Sequence, residues 1–162
     1  MGEVTVRRAI EADESALLAI ELTVWDASSG FPSMTPADKD AFFNERSGPD
    51  AHLVAEDDGE VLGYLRLQDK YTFPEGDGVL SINGIAVAKQ AQGRGIGSIL
   101  LTAAAKEGRI RRARKITLNV HGTNTVARRL YERHGYVVEG THPREFLIEG
   151  QYVDKLTLAK DL

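Results

Sequence analysis

The chain has 162 residues, 42% apolar content and a formal net charge of -4, enough for a single domain with its own core and too short for two. It holds no cysteine, which excludes a disulfide framework, a thiolate metal site and a cysteine nucleophile, and His52, His121, His134 and His142 show no metal-ligand spacing. The acidic balance argues against nucleic-acid or anionic-membrane partners, and the basic run Arg109, Arg111, Arg112, Arg114 and Lys115 reads as a solvated helix end.

Residues 1–9 lack the apolar core of a signal peptide, and no run approaches the roughly 18 apolar residues of a spanning helix, so a cytoplasmic chain is expected. Residues 4–8 alternate as a half-buried strand. Asp13 then caps a helix carrying Leu17, Leu18, Ile20, Glu21, Leu22 and Trp25, which Ser28-Ser-Gly-Phe-Pro-Ser breaks. Thr35-Pro36 predicts a second, shorter helix through Phe42 and Phe43 toward Gly48-Pro49, the two helices forming a flap. Residues 52–56 and 61–67 are strands joined through Asp58-Gly59, a hairpin signal. Residues 70–78 form a loop, and Ile82 to Val87 an apolar strand.

From Ile96, apolar residues recur at Ile99, Leu100, Ala103 and Ile110, one face of a helix that runs past Gly108, with Arg112 where a helix-ending glycine is expected. Residues 115–120 are a strand; Asn124 caps a helix with Val126, Ala127, Leu130 and Tyr131 on one side, and Gly135 ends it. Residues 136–139, a segment around 145–148, a Glu149-Gly150 turn and residues 152–158 complete a set of two or three strands. The fold class is α/β: a mixed, largely antiparallel sheet with helices on both faces, in one domain over 1–162.

Between the apolar strand and the long helix lies Gln92-Gly-Arg-Gly-Ile-Gly97-Ser98. Glycines at 93, 95 and 97 clear side chains from the backbone, and a helix start leaves N–H groups unpaired, so the loop suits a pyrophosphate. A P-loop would need a lysine before Ser98. A Rossmann turn would need G-x-G-x-x-G and an acidic residue about 20 positions on; the next strand offers Thr117 and Asn119.

The loop resembles the Gln-x-x-Gly-x-Gly element of the GCN5-related N-acetyltransferases. A second segment, Leu118 to Tyr136, resembles that family's Asn-x-x-Ala-x-x-Leu-Tyr-x-x-x-Gly-Phe/Tyr at Asn124, Ala127, Leu130, Tyr131, Gly135 and Tyr136. The resemblance is strong over 79–140. It implies acetyl-CoA as cofactor, with no metal, and a strand pair that splays to admit pantetheine against the backbone of Ile85, Ala86 and Val87. It also implies pyrophosphate held by Gln92, Gly93, Arg94, Gly95, Ile96, Gly97 and Ser98. Asn119, Asn124, Ala127, Arg128 and Tyr131 would complete the cofactor site, and family members include strand-exchange and sheet-edge dimers, so a homodimer is within what it implies.

Transfer from a thioester to an amine needs a free amine, a stabilised oxyanion and a proton for the thiolate. Tyr131, a phenol with an ordinary pKa near ~10, is the acid the resemblance implies; its other reading is one more core aromatic on the apolar side of the helix. Asn124 suits a helix cap or a pantetheine contact. The central strand has Ile82 and Asn83 where some relatives carry a glutamate, so amine deprotonation is expected through water, with Glu21, Asp26, His121, Glu139, His142 and Glu145 as unranked relays. Asn83 binds substrate or faces solvent, and Trp25 and Phe31 line the acceptor pocket or, for Trp25, the core. The acceptor is a primary amine of a small molecule or peptide; the C-terminal stretch loosely resembles relatives that acetylate terminal or free amino-acid amines. Two other classes stay open: a non-catalytic coenzyme A-binding sensor or scaffold, and a dinucleotide-binding oxidoreductase.

Overall fold

The computed structural model describes residues 2–162. Seven strands form one sheet in the order β1-β2-β3-β4-β5-β7-β6. They are β1 (Thr5–Arg8), β2 (His52–Asp57), β3 (Glu60–Asp69), β4 (Val79–Val87), β5 (Lys115–His121), β6 (Val137–Ile148) and β7 (Gln151–Asp161), with helices α1 (Glu14–Val24), α2 (Ile96–Ile110) and α3 (Thr125–Arg133). All neighbours are antiparallel except β4 and β5. This is the mixed α/β architecture expected.

Alternation decides which helix meets which face. Tyr64 of β3 reaches Glu21 of α1, while a Cβ on the adjacent Gly63 would lie 3.3 Å from Ile96 of α2, so the two helices cover opposite faces. Leu17 and Ile20 on one side, and Ile96, Leu100, Leu101 and Ala104 on the other, are almost fully buried against the sheet. Gly108 stays in helix α2 because a side chain there would lie 2.6 Å from Leu162, so the glycine lets helix and chain end pack closely. Arg112, at φ 59, takes the left-handed helix-ending position, and the Ala113 N–H returns to the Gly108 carbonyl at 2.9 Å. Both hairpin turns carry two positive φ values, at Asp58 and Gly59 and at Glu149 and Gly150, which matches the right-handed strand twist.

Several expectations fail locally. The second helix over the Thr35 to Gly48 region does not form; a short 3-10 turn over Pro32–Met34 is followed by irregular chain. The Glu14 carboxylate accepts the N–H groups of Phe42 and Phe43 at 2.7 and 3.1 Å, groups a helix would use internally. Both rings also pack on His52, at 5.0 and 5.4 Å, and adjacent helical residues cannot share one face. Asp13 does not cap α1 with its side chain: its carboxylate turns back to the Arg7 guanidinium at 2.8 and 2.9 Å and to the Ile10 N–H at 2.8 Å. Ile110 and Val126, read as inward, are 66% and 79% exposed. Val137–Ile148 makes one long edge strand with register shifts between Val138 and Gly140 and between His142 and Phe146, not two short ones. Among the described residues no helix is long and apolar enough to cross a membrane, and no cluster of His, Asp or Glu is arranged for a metal.

Candidate active site

The parallel pair carries the first element of the site. β4 and β5 are in register from Val79 and Lys115 only as far as Ile82 and Leu118. Beyond that β4 continues beside β3 to Val87, and β5 continues beside β7 to His121. The two strands therefore diverge, and the β4 edge over residues 84–87 has no partner strand. A cavity of about 630 Å³ opens there, lined by β4 and β5, by Gln92, Asn124, Ala127 and Tyr131 on one side, and by Glu21, Trp25, Phe31 and Arg66 on the other.

The loop after β4 carries the second. Gly93 and Gly95 have φ of 85 and 77, backbone that L side chains adopt only with strain, and a Cβ on either would meet open space. Gly97 is needed for contact instead, since its Cβ would sit 3.0 Å from Leu130 of α3. Among the described residues no backbone acceptor meets the N–H groups of residues 93–98, which open helix α2. Unpaired donors at a helix start, free of side chains, fit a phosphate oxygen. The unpartnered β4 edge fits a chain of amides.

Arg94 leans away from this loop onto Asp57 of the β2–β3 hairpin, 2.9 Å distant. Arg128 donates to the Gly122 carbonyl at 3.2 Å. Asn124 caps α3 by accepting the Ala127 N–H at 3.2 Å, and its side chain also lines the cavity. Asn119 accepts from the Thr157 hydroxyl at 2.9 Å. Tyr131 is 7% exposed, its ring 6.0 Å from that of Tyr136. Burial pushes the Tyr131 hydroxyl up to about 12, so it stays protonated across the neutral range.

The other half of the cavity is built from α1, the chain after it, and β3. Phe31 packs edge-on against His121 and Phe146, at 4.9 and 4.7 Å. Burial holds His121 below its ordinary pKa and therefore neutral. Tyr64 donates to the Glu21 carboxylate, and desolvation together with the Glu21 charge raises the phenol well above its usual value. Its hydroxyl lies 4.0 Å from where a Cβ on Gly84 would be, so the dyad overlooks the point where β4 leaves β5. Asn83, expected as a substrate group, holds its side chain between Ser81 and Gln68, at 2.8 and 3.0 Å. Its carbonyl instead accepts from Arg66 at 3.1 Å. Of the six relays considered, Glu21 and His121 line the cavity. Asp26 accepts from Ser28 and Ser29 in a turn, Glu139 pairs with Lys115 at 2.8 Å, and Glu145 meets His142 at 3.5 Å on β6. Tyr64, Arg66 and Lys39 escaped the sequence reading, although an arginine inside the apolar run 61–67 was the available signal.

A profile of the acetyltransferase (GNAT) family matches residues 17–136. The chain belongs to that family. It is 37% identical over 87 residues to the 5-NmdU N-acetyltransferase of Pseudomonas phage PaMx11, covering 54% of this chain and 57% of that protein. It is 32% identical over 109 residues to the L-amino acid N-acetyltransferase AaaT of Escherichia coli K12, covering 67% and 66%. The matched stretches thus span less than two thirds of these relatives' own length. Its fold matches that of yncA from Salmonella typhimurium, solved with its cofactor acetyl-CoA, at a TM-score of 0.76 and 22% identity over 99% of this chain and 94% of that one.

Proposed function

We propose that this GNAT chain is an N-acetyltransferase that moves the acetyl group of acetyl-CoA to a primary amine by direct attack in a ternary complex. The observation that carries this is one cavity that runs from Gln92, where the loop with unpaired N–H groups at 93–98 begins, along the free β4 edge at 84–87, to Tyr131. A phosphate-bearing, amide-bearing arm fits that path: Gln92 to Ser98 would hold pyrophosphate, and Ile85, Ala86 and Val87 would pair with pantetheine amides. Asn119, Asn124, Ala127 and Arg128 would flank the arm. Arg94 would reach phosphate only by leaving Asp57.

Bound there, acetyl-CoA supplies a thioester whose carbonyl carbon takes the amine lone pair and whose C–S bond breaks. Tyr131 then gives its hydroxyl proton to the departing sulfur. A phenol at about 12 is a weak donor to a free thiolate at about 8.5. Burial raises the thiolate's basicity in the same direction, because the same apolar wall disfavours both anions. The amine loses its proton to water relayed to Glu21 or His121, the two relay candidates that line the cavity. Trp25 and Phe31 would form the acceptor wall.

Thiol release from acetyl-CoA across amino acids, short peptides, polyamines and aminoglycosides, with Tyr131→Phe beside the wild type, tests this. The expected result is turnover with one amine class and a loss on the order of 10²-fold in the variant at nearly unchanged cofactor affinity. Tight coenzyme A binding with no turnover on any amine would favour a non-catalytic sensor.

A further inference from the structure

Arg66 is the cavity group that the proposed function leaves unused. It stands on β3 directly opposite Gly84, two residues from Tyr64 and on the same face. Its guanidinium is held by two neutral acceptors, the Asn83 carbonyl and the Ser47 hydroxyl, both at 3.1 Å. Its Nε is buried without a partner, and among the described residues no carboxylate lies within ion-pair distance of it. The two lysines of the same cavity differ: Lys39 and Lys155 each lie 3.9 Å from a glutamate. A partly buried cation with only neutral partners is costly, since desolvation is not offset by an opposite charge. The rigid mounting fixes a planar fork that suits a carboxylate.

The cofactor's phosphates would not supply that charge. The pyrophosphate loop begins beside the other end of β3, where the Ala88 N–H bonds the Leu62 carbonyl and Gly63 abuts Ile96. Arg66 lies three residues further along, about 10 Å at ~3.3 Å per residue. What faces Arg66 is the opening at Gly84, with the Tyr64–Glu21 dyad as its neighbour on the same strand face. Cα atoms two apart on a strand are separated by about 6.6 Å. Side chains mounted that close on one strand face can address the two ends of one small molecule.

We propose that Arg66 is a specificity-determining residue that binds the carboxylate of the acceptor, and that the acceptor is a free amino acid with its amine toward Tyr64 and Glu21. This rests on the proposed acetyl transfer and narrows its acceptor class. Asn83 and Ser47 act as positioning residues for the fork. Polyamines, which have no acid, and aminoglycosides are excluded as preferred acceptors.

The test compares proteinogenic amino acids with their carboxamides and decarboxylated amines, in wild type, Arg66→Gln and Arg66→Lys, reading thiol release. The wild type should favour the best amino acid over its amide by about 10²-fold in kcat/KM, mainly through KM. Arg66→Gln should bring that ratio to within a few-fold of one, and Arg66→Lys should restore part of it, with coenzyme A affinity by calorimetry unaltered. The wild-type comparison does not depend on the variants folding. Equal use of acid and amide, or preference for the decarboxylated amine, would overturn the assignment while leaving acetyl transfer standing. Should no amine be turned over, acetyl transfer itself fails. Calorimetric binding of amino acid against amide to the coenzyme A-saturated wild type then decides on Arg66, with equal or absent binding of the two overturning it.

Discussion

Tyr131 and Tyr136 sit ring to ring, 6.0 Å apart, and replacing each by phenylalanine should have opposite consequences. Tyr136 is 2% exposed and its hydroxyl is buried with no hydrogen-bond partner. Burial and the neighbouring Tyr131 raise its pKa, as expected for a phenol that pays for desolvation without return. An unsatisfied buried hydroxyl costs about 1–3 kcal/mol, so Tyr136→Phe should gain roughly 1 kcal/mol. For a domain of this size that is about 2–4 °C in Tm. Tyr131 lines the cavity and, among the described residues, its hydroxyl has no hydrogen-bond partner, so Tyr131→Phe should alter stability by less than about 0.5 kcal/mol. Its turnover should instead fall on the order of 10²-fold, about 2.7 kcal/mol of transition-state stabilisation. Thermal and urea unfolding of both variants, run beside thiol release, separates the two roles. Destabilisation of Tyr136→Phe by more than about 1 kcal/mol would refute the orphaned-hydroxyl argument. Turnover of Tyr131→Phe within threefold of wild type would make Tyr131 a core aromatic and nothing more.

Gly95→Ala should cost about 1–2 kcal/mol of stability, because φ is 77 there and the new methyl meets open space rather than a clash; coenzyme A affinity by calorimetry should fall further than Tm does. Glu14→Ala should lose roughly 2 kcal/mol in urea unfolding, as two backbone N–H groups lose a carboxylate acceptor, and KM for the amine should rise as the Phe42–Phe43 segment loosens. Stability should depend on pH in two windows. His52 is buried and held neutral by desolvation, so the unfolded chain takes up protons there that the folded one refuses. Its contribution is complete above about 6.5 and declines as pH falls toward the folded value. Asp13 is held below the carboxylate range by the Arg7 guanidinium. Its contribution is present above about 3.9 and is lost as pH falls through the folded value. Urea midpoints from pH 8 to 3, with Asp13→Asn flattening only the acid limb, check both.

The glycine loop and the capped helix beside the cavity were legible because they are written locally. Gly93, Gly95 and Gly97 sit between an apolar strand and an apolar helix face, and Asn124 stands one residue before α3, where a cap belongs. Arg112 was readable as the helix end for the same reason. On the opposite side Glu21, Trp25, Phe31 and His121 were picked out and line the cavity, but Tyr64 and Arg66 were not, because their partners come from elements distant in sequence. Glu21 reads as the polar side of α1 until Tyr64 is brought to it, and Arg66 reads as the outward residue of a strand until the segment through Ser47 covers it. The missing helix shows the same limit. Thr35-Pro36 is a sound local start signal, but Glu14, far off in sequence, takes the N–H groups that the helix would need. Asn83 lines the cavity, but neighbours that the sequence does not place beside it hold it, Ser81 and Gln68 at the side chain and Arg66 at the carbonyl.

The central claim is that the phosphates lie on the N–H groups of residues 93–98 and the pantetheine arm along the free edge of β4. Titrating acetyl-CoA into the ¹⁵N-labelled chain and following amide resonances tests this most directly. The account predicts the largest shifts at the loop amides and at Ile85, Ala86 and Val87, with smaller ones at Asn119 and Asn124. Saturable binding with those amides unmoved, or no binding at all, would contradict it.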